Sequence, residues 1–253
     1  SVSSVITNMG EIDTTVVINA AGVWAYRLAD RVDIDLPIQL IELMQGETEA
    51  MPRVFDCFLR GSTYGGRQTA SGTFRVTGGY RKMDVYHDIS LHDLRHMATW
   101  LPRLIKFRND VNVRFNMDIL KHDFDVLARK LLNRQKGAPA PVGVEPKRNQ
   151  KSLEKKLAKL GRLVPQIKDL RFVRTWGGYV DMTPDFLPII GPSEKIKGFY
   201  LATGFSGHGF AIGPILGRIF SDLIIDGETD MPLYSFRPSR FSEEKIPVPD
   251  RLV

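Results

Sequence analysis

The sequence is poor in cysteine and contains no long apolar run. Cys57 is the only cysteine among the 253 residues, which excludes an intrachain disulfide and favours a reducing compartment. No stretch reaches the roughly 20 apolar residues that cross a membrane, and no signal-peptide pattern opens the chain. Since 43% of the residues are hydrophobic, we expect an intracellular protein with a substantial core, in the cytoplasm or the mitochondrial matrix.

Positive charge is concentrated in one segment rather than spread along the chain. The net charge is +6, but residues 129–162 hold eleven Lys or Arg against two acids, a local +9 that leaves −3 for the rest. Such a segment can bind nucleic acid, anionic lipid or an acidic partner protein, yet it has no interleaved aromatic residues and matches no nucleic-acid motif. Its centre, residues 137–143, is typical of a Gly/Pro linker. We therefore favour a solvated linker over an interaction patch and expect no nucleic-acid partner.

The strongest functional signal is the stretch 199–225. Residues 199–202 predict a buried strand, a turn with Gly204, Gly207 and Gly209 follows, and then a helix. Helical spacing is shown by the apolar residues Ile212, Ile215, Leu216, Ile219, Phe220, Leu223 and Ile224. Glycines between a strand and a helix let a large planar or anionic ligand approach the backbone, and the helix start directs unpaired N–H groups at it. The stretch therefore predicts a cofactor-binding loop.

Three further segments accompany this loop in a fixed order. They are residues 16–24 (VVINAAGVW), residues 176–192 (WGGYVDMTPDFLPIIGP) and residues 234–241 (YSFRPSRF). Together they resemble the C-terminal half of the D-amino-acid-oxidase-like FAD oxidoreductases, the superfamily of sarcosine oxidase, glycine oxidase and dye-linked proline dehydrogenase. The Gly-x-Gly-x-x-Gly fingerprint with which that family opens has no counterpart here. We therefore expect a fragment, or else a second polypeptide that supplies the nucleotide half, and favour the fragment.

The resemblance implies an α/β (α+β) fold in two parts. Residues 1–30 and 176–253 would form part of a Rossmann-like FAD-binding domain, the second stretch carrying the flavin loop and helix. Residues 31–175 would form a mixed-sheet substrate domain, with a helical, basic insertion at 105–150. That insertion would be a surface ornament, a docking arm for a protein partner or an active-site cover.

The resemblance also implies which residues bind FAD. Gly178 stands where the sarcosine oxidase branch has its flavin-linked cysteine, so the FAD is expected to be non-covalent at this site. The loop N–H groups and Ser206 would contact the pyrimidine edge of the flavin. His208 is the candidate catalytic residue, with loop shaping as the plainer interpretation, and Trp24 is equally consistent with ordinary core. The predicted cofactor-binding residues are Ala20, Ala21, Gly22, Trp24, Gly178, Gly204, Phe205, Ser206, Gly207, His208, Gly209 and Phe210.

The implied activity is oxidation of the C–N bond of a primary or secondary, amino-acid-like amine by hydride transfer to FAD. Val180 stands where the glycine oxidase branch has its carboxylate-binding arginine, so Tyr179, Arg75 and Arg81 are the candidate substrate residues. Ala211 stands where the sarcosine oxidase branch has a lysine that helps oxygen react, which favours an electron carrier as acceptor. The alternative is a non-catalytic assembly member of the same family, of the respiratory-complex type.

Hydrophobic periodicity and turn residues predict the local elements. Helices are expected at 90–106, capped by Ser90, at 117–132 and at 152–164. Strands are expected at 2–7 and 14–19 as a pair, at 37–43 and at 73–80. Gly65, Gly66 and Gly72 are expected to punctuate a hairpin.

Two histidines, His92 and His96, stand four residues apart on a predicted helix. The spacing is similar to the zinc-protease motif His-Glu-x-x-His, with Asp93 in place of the glutamate. No third ligand is evident beyond His87 or Asp88. We therefore predict a surface helix face with local salt links, and no metal site.

Overall fold

A computed structural model describes residues 1–78, 85–132, 150–243 and 246–250. Within these ranges the strands are β1 (Ser4–Thr7), β2 (Gly10–Asp13), β3 (Val17–Asn19), β4 (Gln39–Ala50), β5 (Leu59–Arg60), β6 (Gly65–Gln68), β7 (Thr73–Thr77), β8 (Val85–Ile89), β9 (Val111–Phe115), β10 (Phe172–Met182), β11 (Ile189–Pro192) and β12 (Phe199–Thr203). The helices are α1 (Ala25–Asp30), α2 (Leu91–Arg95), α3 (Met97–Lys106), α4 (Met117–Leu131), α5 (Gln150–Leu163), α6 (Gly209–Ile225) and α7 (Arg240–Glu243). None of these helices is both long and apolar enough to cross a membrane.

The smaller of the two main sheets has the order β11-β12-β3, with β12 antiparallel to β11 and parallel to β3. Alternate residues of a strand point to opposite faces. Ile189, Phe199 and Leu201 pack on one face against α1 and the segment after it, whereas Ile190 and Ala202 pack on the other face against α6. The sheet is therefore the middle of three layers, and the predicted strand, loop and helix of 199–225 are confirmed.

The larger sheet has the order β5-β6-β7-β4-β8-β9, and β10 pairs with β4 in antiparallel fashion. α5 covers one end of this sheet, where Leu153, Leu157 and Leu160 pack against Met44 and Phe74. The three leucines recur at the spacing of one helix face, which is why this helix is amphipathic. From β10 the chain returns to the smaller sheet, so β10 connects the two sheets.

Two predictions about the strands are wrong. β1 pairs with β2 through the tight turn Thr7–Gly10, where Gly10 has a φ of +130°, while 17–19 pairs with β12 instead. Gly65 and Gly66 lie inside β6 rather than in a turn. A Cβ at Gly66 would lie 2.5 Å from the ring of Phe74, so this glycine makes room for a core side chain.

The helix predicted at 90–106 is two helices, α2 and α3, which meet at His96. Ser90 caps α2 as predicted. Its hydroxyl accepts from the Asp93 N–H at 3.1 Å, and the Asp93 carboxylate accepts from the Ser90 N–H at 2.8 Å, which forms a capping box. Asp93 is therefore buried, facing His87 at 3.3 Å, and its predicted place in a surface salt link is wrong. α4 and α5 confirm the other two helices, although α5 begins earlier than expected.

Part of the predicted insertion at 105–150 belongs to the larger sheet. β9 pairs in parallel with β8. The guanidinium of Arg114 on β9 donates to the carboxylate of Asp88 at 2.8 and 3.0 Å and to that of Glu42 at 2.6 Å. The centre of the predicted basic linker, residues 137–143, lies outside the described residues. The domain boundaries stay a prediction.

Candidate cofactor site

The loop between β12 and α6 has a largely left-handed backbone. Gly204, Ser206 and Gly207 have φ values of +69°, +51° and +88°, in a region that side chains rarely adopt. A Cβ at Gly204 would lie 2.4 Å from Thr183 Cγ2, whereas a Cβ at Gly207 would meet only Val180 Cγ1, at 4.0 Å. Gly204 is therefore required by its close packing, and Gly207 borders open space.

Asp181 fastens this loop to β10. Its carboxylate accepts from the Gly204 N–H at 2.6 Å and from the Thr203 hydroxyl at 3.2 Å, and its carbonyl accepts from the Ser206 N–H at 3.0 Å. Burial raises the pKa of Asp181, while the donated hydrogen bonds oppose that effect. The sequence carries no signal of this role, because only the path of β10 between the two sheets brings Asp181 to the loop.

Two loop residues face the protein interior. Ser206 is buried, and its hydroxyl accepts from the Thr183 N–H at 3.3 Å. Phe205 packs against the core that α6 forms with the smaller sheet. Both side chains shape the loop from inside, and their predicted contact with the cofactor stays a prediction.

α6 starts at the open end of this loop. It runs for 17 residues from Gly209, and its N-cap residue, His208, makes no side-chain hydrogen bond to the first turn. Phe210 is fully exposed, and Gly207 and His208 are exposed as well. The first N–H groups of a helix carry partial positive charge and bind anionic or electron-rich groups. The loop therefore presents a helix start without a side-chain cap, flanked by an exposed aromatic ring.

The turn after β3 is the second predicted cofactor segment, and it is largely exposed. Ala20, Ala21 and Gly22 are exposed, and Trp24 is 41% exposed, so Trp24 is not an ordinary core residue. The buried amide of Asn19 holds this turn by donating to a carbonyl of α1 at 2.9 Å. The alternation along β3 buries Asn19 and leaves the residues that follow it at the surface.

The predicted cofactor segments meet beside α6. The Thr203 hydroxyl donates to the Gly22 carbonyl at 3.3 Å, and the Asp181 carbonyl, three residues after Gly178, accepts from the Ser206 N–H of the loop at 3.0 Å. A Cβ added at Gly22 or Gly178 would have no atom within 4 Å. The chain therefore leaves bare backbone where these segments meet, which fits a large planar group lying against them.

Tyr179 lines a cleft between α1 and the larger sheet. The cleft walls include Trp24, Leu40 and Asp88. Burial raises the pKa of Tyr179 to about 12, and the carboxylates of Asp88 and Glu42 add to the shift. Tyr179 is therefore a neutral phenol that can donate a hydrogen bond to a molecule in this cleft.

Arg75, another predicted substrate residue, does not line this cleft. The guanidinium of Arg75 lies 3.8 Å from the carboxylate of Glu47 on β4. Glu47 stands five residues from Glu42, which is the residue opposite Tyr179 in the pairing of β4 with β10. At about 3.4 Å per residue this separation is roughly 17 Å. Arg81 lies outside the described residues.

A cation that the sequence did not single out lines the cleft instead. Arg27 donates to the Tyr26 hydroxyl at 2.7 Å and lies 3.5 Å from Asp123. In the sequence, the available signal for Arg27 was its position three residues after Trp24. α1 turns the side chains that follow the exposed turn towards the larger sheet.

The fold and the site together define a class of protein. A strand, a glycine loop and an open helix start, placed beside a cleft in a second sheet, are the features of α/β enzymes that hold a large cofactor against bare backbone. A family model described as DAO, FAD dependent oxidoreductase, matches residues 1–223. The chain therefore belongs to this family, its cofactor is FAD, and the resemblance found in the sequence is confirmed.

Individual proteins support the same assignment. Dimethylglycine dehydrogenase, mitochondrial, of Mus musculus is 22% identical over 245 residues, which cover 94% of this chain and 23% of the relative. FAD-dependent oxidoreductase domain-containing protein 1 of Bos taurus is 36% identical over 90 residues, 35% of this chain and 18% of the relative. The solved structure of L-amino acid deaminase from Proteus vulgaris has a TM-score of 0.78 at 21% identity, covering 94% of this chain and 54% of that one. The chain thus spans about half of that structure and less than a quarter of these relatives.

Proposed function

We propose that this chain forms the flavin loop and substrate cleft of an enzyme that oxidises the C–N bond of a primary or secondary amine. The observation that carries the proposal is the bare backbone at Gly22, Gly178 and Gly207, beside the start of α6. When bound, FAD supplies a two-electron acceptor for the hydride on the carbon beside the amine nitrogen. The substrate would leave as an imine, after its nitrogen loses a proton, and water would hydrolyse it to a carbonyl compound and ammonia or an amine.

The chain's own residues position and support this chemistry. The glycines admit a planar group at van der Waals distance from the backbone. The first N–H groups of α6 stabilise negative charge on a group bound there. Asp181 holds the loop in place through the Gly204 N–H. Gly178 offers no nucleophile, so we propose that the cofactor is held without a covalent bond at this position.

The cleft supports an amino-acid-like substrate. Tyr179 can donate a hydrogen bond, and Arg27 is a cation that could pair with a carboxylate in the absence of an arginine at position 180. The names of the mouse dehydrogenase and the Proteus deaminase refer to amino acids. Ala211, exposed on the first turn of α6, supports an electron carrier rather than oxygen as acceptor. We propose the cytoplasm or the mitochondrial matrix as the location.

Gly207→Val tests the flavin loop. Valine cannot adopt the +88° φ of this position without strain, so we expect the intact protein to lose its visible flavin absorbance. Gly227→Val is the matched control, because its φ of +83° imposes the same strain and a Cβ there has no atom within 4 Å, but it lies beyond the C-terminal end of α6, so we expect this variant to keep the flavin. Stoichiometric flavin in Gly207→Val would contradict the loop assignment.

A second experiment tests the reaction itself. Amines and amino acids are added to the flavin-containing protein without oxygen, and bleaching of the visible bands is followed. Bleaching by an N-alkylated or primary amino acid supports the proposal, and Arg27→Gln should then raise the KM of substrates that carry a carboxylate more than that of simple amines. A protein that contains flavin but is bleached by no amine would contradict the proposed activity.

A non-catalytic assembly role is the second candidate. It is favoured by exposed apolar side chains in the predicted insertion, with Phe115 78%, Met117 62% and Phe124 59% exposed, a pattern typical of protein-binding surfaces. The combined change Phe115→Ser and Phe124→Ser distinguishes the two roles. A scaffold would lose its partner in a pull-down from its native source, whereas an enzyme without such a partner would keep its rate of amine-dependent bleaching.

A further inference from the structure

The segment that leads from the smaller sheet into β4, residues 31–38, is held down by α2 and α3. His92 Nε2 lies 2.9 Å from the carbonyl oxygen of Leu36, and the Trp100 indole N–H donates to the carbonyl of Pro37 at 3.0 Å. His96 Nε2 lies 3.0 Å from the carboxylate of Asp35. His92 and His96 thus both contact residues 35–36, and the sequence pattern did not indicate this contact.

The packing of the segment 31–38 against α2 and α3 brings Asp35 to the two histidines, as a third possible ligand that the sequence pattern did not indicate. One ring nitrogen each of His92 and His96 and a carboxylate oxygen of Asp35 all lie within 4.8 Å of one another. The two imidazole rings are 4.6 Å apart between centroids. Two imidazoles and one carboxylate are a ligand set that Zn²⁺ and neighbouring divalent ions accept, with water in the remaining position.

We propose that Asp35, His92 and His96 form a binding site for a divalent transition-metal ion of the Zn²⁺ class. The Leu36 carbonyl accepts a hydrogen bond from His92 Nε2–H, which leaves Nδ1 of that ring with the lone pair. Metal-binding histidines typically donate their other ring N–H to a carbonyl or carboxylate, which fixes ring orientation and tautomer. The protein therefore already provides the outer hydrogen bond for one ligand.

The remaining adjustment is small. Tetrahedral Zn²⁺ ligands at about 2.0–2.2 Å from the ion lie roughly 3.3 Å apart, and the His96–Asp35 pair is already at 3.0 Å. The three ligand atoms lie within 4.8 Å of one another, so closing the set around an ion requires the two rings and the Asp35 side chain to approach by about 1.5 Å or less. The ion would link the segment 31–38 to the junction of α2 and α3.

Arg95 opposes the ion. Its guanidinium lies 3.6 Å from Asp35 and 3.4 Å from Asp30, and its positive charge competes for the same carboxylate. Because both members of the Arg95–Asp35 pair are largely exposed, their attraction is weak. Removing this cation should therefore strengthen metal binding, which no purely structural role of the histidines predicts.

The test is calorimetric titration of ZnCl₂ into the full chain, without a histidine tag and after treatment with a chelator. All variants carry Cys57→Ser, because Cys57 is exposed and a thiol also binds zinc. We expect one saturable site per chain. Affinity should fall on the order of 10-fold or more in His96→Gln, His92→Gln and Asp35→Asn, and should rise in Arg95→Gln.

Asp33→Asn is the matched control. Asp33 is an exposed acid two residues from Asp35, and asparagine tolerates its φ of +57°, so zinc affinity should not change. Circular dichroism of each variant separates lost ligands from lost folding, and the gain expected in Arg95→Gln cannot come from unfolding. Absence of saturable zinc binding to the parent chain, or equal affinity in folded His96→Gln, would overturn the proposal and leave only a hydrogen-bonded ion-pair cluster.

Discussion

Gly204, in the loop between β12 and α6, and Gly213, on α6, should respond in opposite ways to the same substitution. Gly204→Ala places a Cβ 2.4 Å from Thr183 Cγ2 at a φ of +69°, so we expect a loss of about 1–3 kcal/mol in the free energy of unfolding. Gly213→Ala on α6 meets no atom within 4 Å and should gain roughly 0.5–1 kcal/mol, because alanine favours the helix. Urea denaturation of the flavin-free chain measures both, and effects of the same sign would contradict the loop geometry.

The buried pair of His87 and Asp93 predicts a pH dependence of stability. Burial alone lowers the pKa of His87, but the hydrogen bond and charge of Asp93 outweigh it, so the pKa is raised above its usual value. A histidine of this kind contributes stability that is fully present below the unfolded-state pKa of about 6.5 and is lost as pH rises through the folded-state pKa. The stability difference between the parent chain and His87→Gln should therefore shrink from about pH 6 to pH 9.

Denaturation curves at several pH values check this expectation. The difference in the free energy of unfolding should be largest at the acidic end of the series. A difference that stays constant with pH would mean that folding leaves the pKa of His87 unchanged, and one that grows with pH would mean that His87 is buried neutral and acts through packing and its contact with the Leu40 carbonyl.

At the residue scale, the sequence predicted which residues lie in the loop better than it predicted what their side chains contact. Gly204 and Gly207 were predicted because glycines between a strand and a helix have few other uses. Asp181 and Arg27 were not, because a carboxylate on a strand and a cation on a short helix fit many environments. Ser206 was predicted at the loop, but its left-handed backbone turns the hydroxyl towards Thr183, which no local pattern indicates.

At the scale of elements, an ion pair fixes the C-terminal segment to the turn after β10. Arg240 donates to both oxygens of Asp185, at 2.8 and 3.1 Å, and to the carbonyl of Leu187 at 2.9 Å. Both charged side chains are more than nine-tenths buried. We expect Arg240→Met to cost about 3–5 kcal/mol in the free energy of unfolding, because it removes the bidentate ion-pair partner of the buried Asp185 carboxylate and leaves it the Leu187 N–H at 3.1 Å.

The double variant Arg240→Met with Asp185→Leu separates the pair from simple loss of packing. It should recover much of the loss, since no unpaired charge then remains, and a double-mutant cycle in urea gives the coupling energy. Additive losses would mean that the two residues act independently.

The elements that the sequence misassigned share a physical cause. Helix periodicity predicted 90–106 as one helix, and it does not show that the chain turns at His96. β9 was placed in an insertion because its pairing with β8 and the bonds of Arg114 to Asp88 and Glu42 join residues far apart in the sequence. Periodicity reports which face of an element is apolar, whereas sheet order depends on partners that lie elsewhere in the chain.

At the scale of the whole molecule, the two sheets are joined in ways that bear on the site. β10 carries Gly178 and Tyr179 in the larger sheet and then Asp181, which holds the flavin loop of the smaller sheet. The segment 31–38 makes the other connection and is fastened by α2 and α3. Because α1 packs on the smaller sheet and the cleft lies between α1 and the larger sheet, a displacement of one sheet relative to the other would change the width of the cleft.

The last prediction concerns how much of the FAD this chain can hold alone. The described site provides bare backbone and the start of α6, but the sequence has no Gly-x-Gly-x-x-Gly turn to bind the pyrophosphate, and the chain spans about half of the Proteus deaminase structure. We therefore expect FAD titrated into the 253-residue chain to bind weakly, and the protein isolated from its native source to carry stoichiometric flavin. Quenching of flavin fluorescence measures the first, and the visible absorption spectrum the second. Tight stoichiometric binding by the chain alone would show that the loop and the turn after β3 suffice. A colourless native protein would instead favour the assembly role, because a pocket kept for catalysis must retain its acceptor.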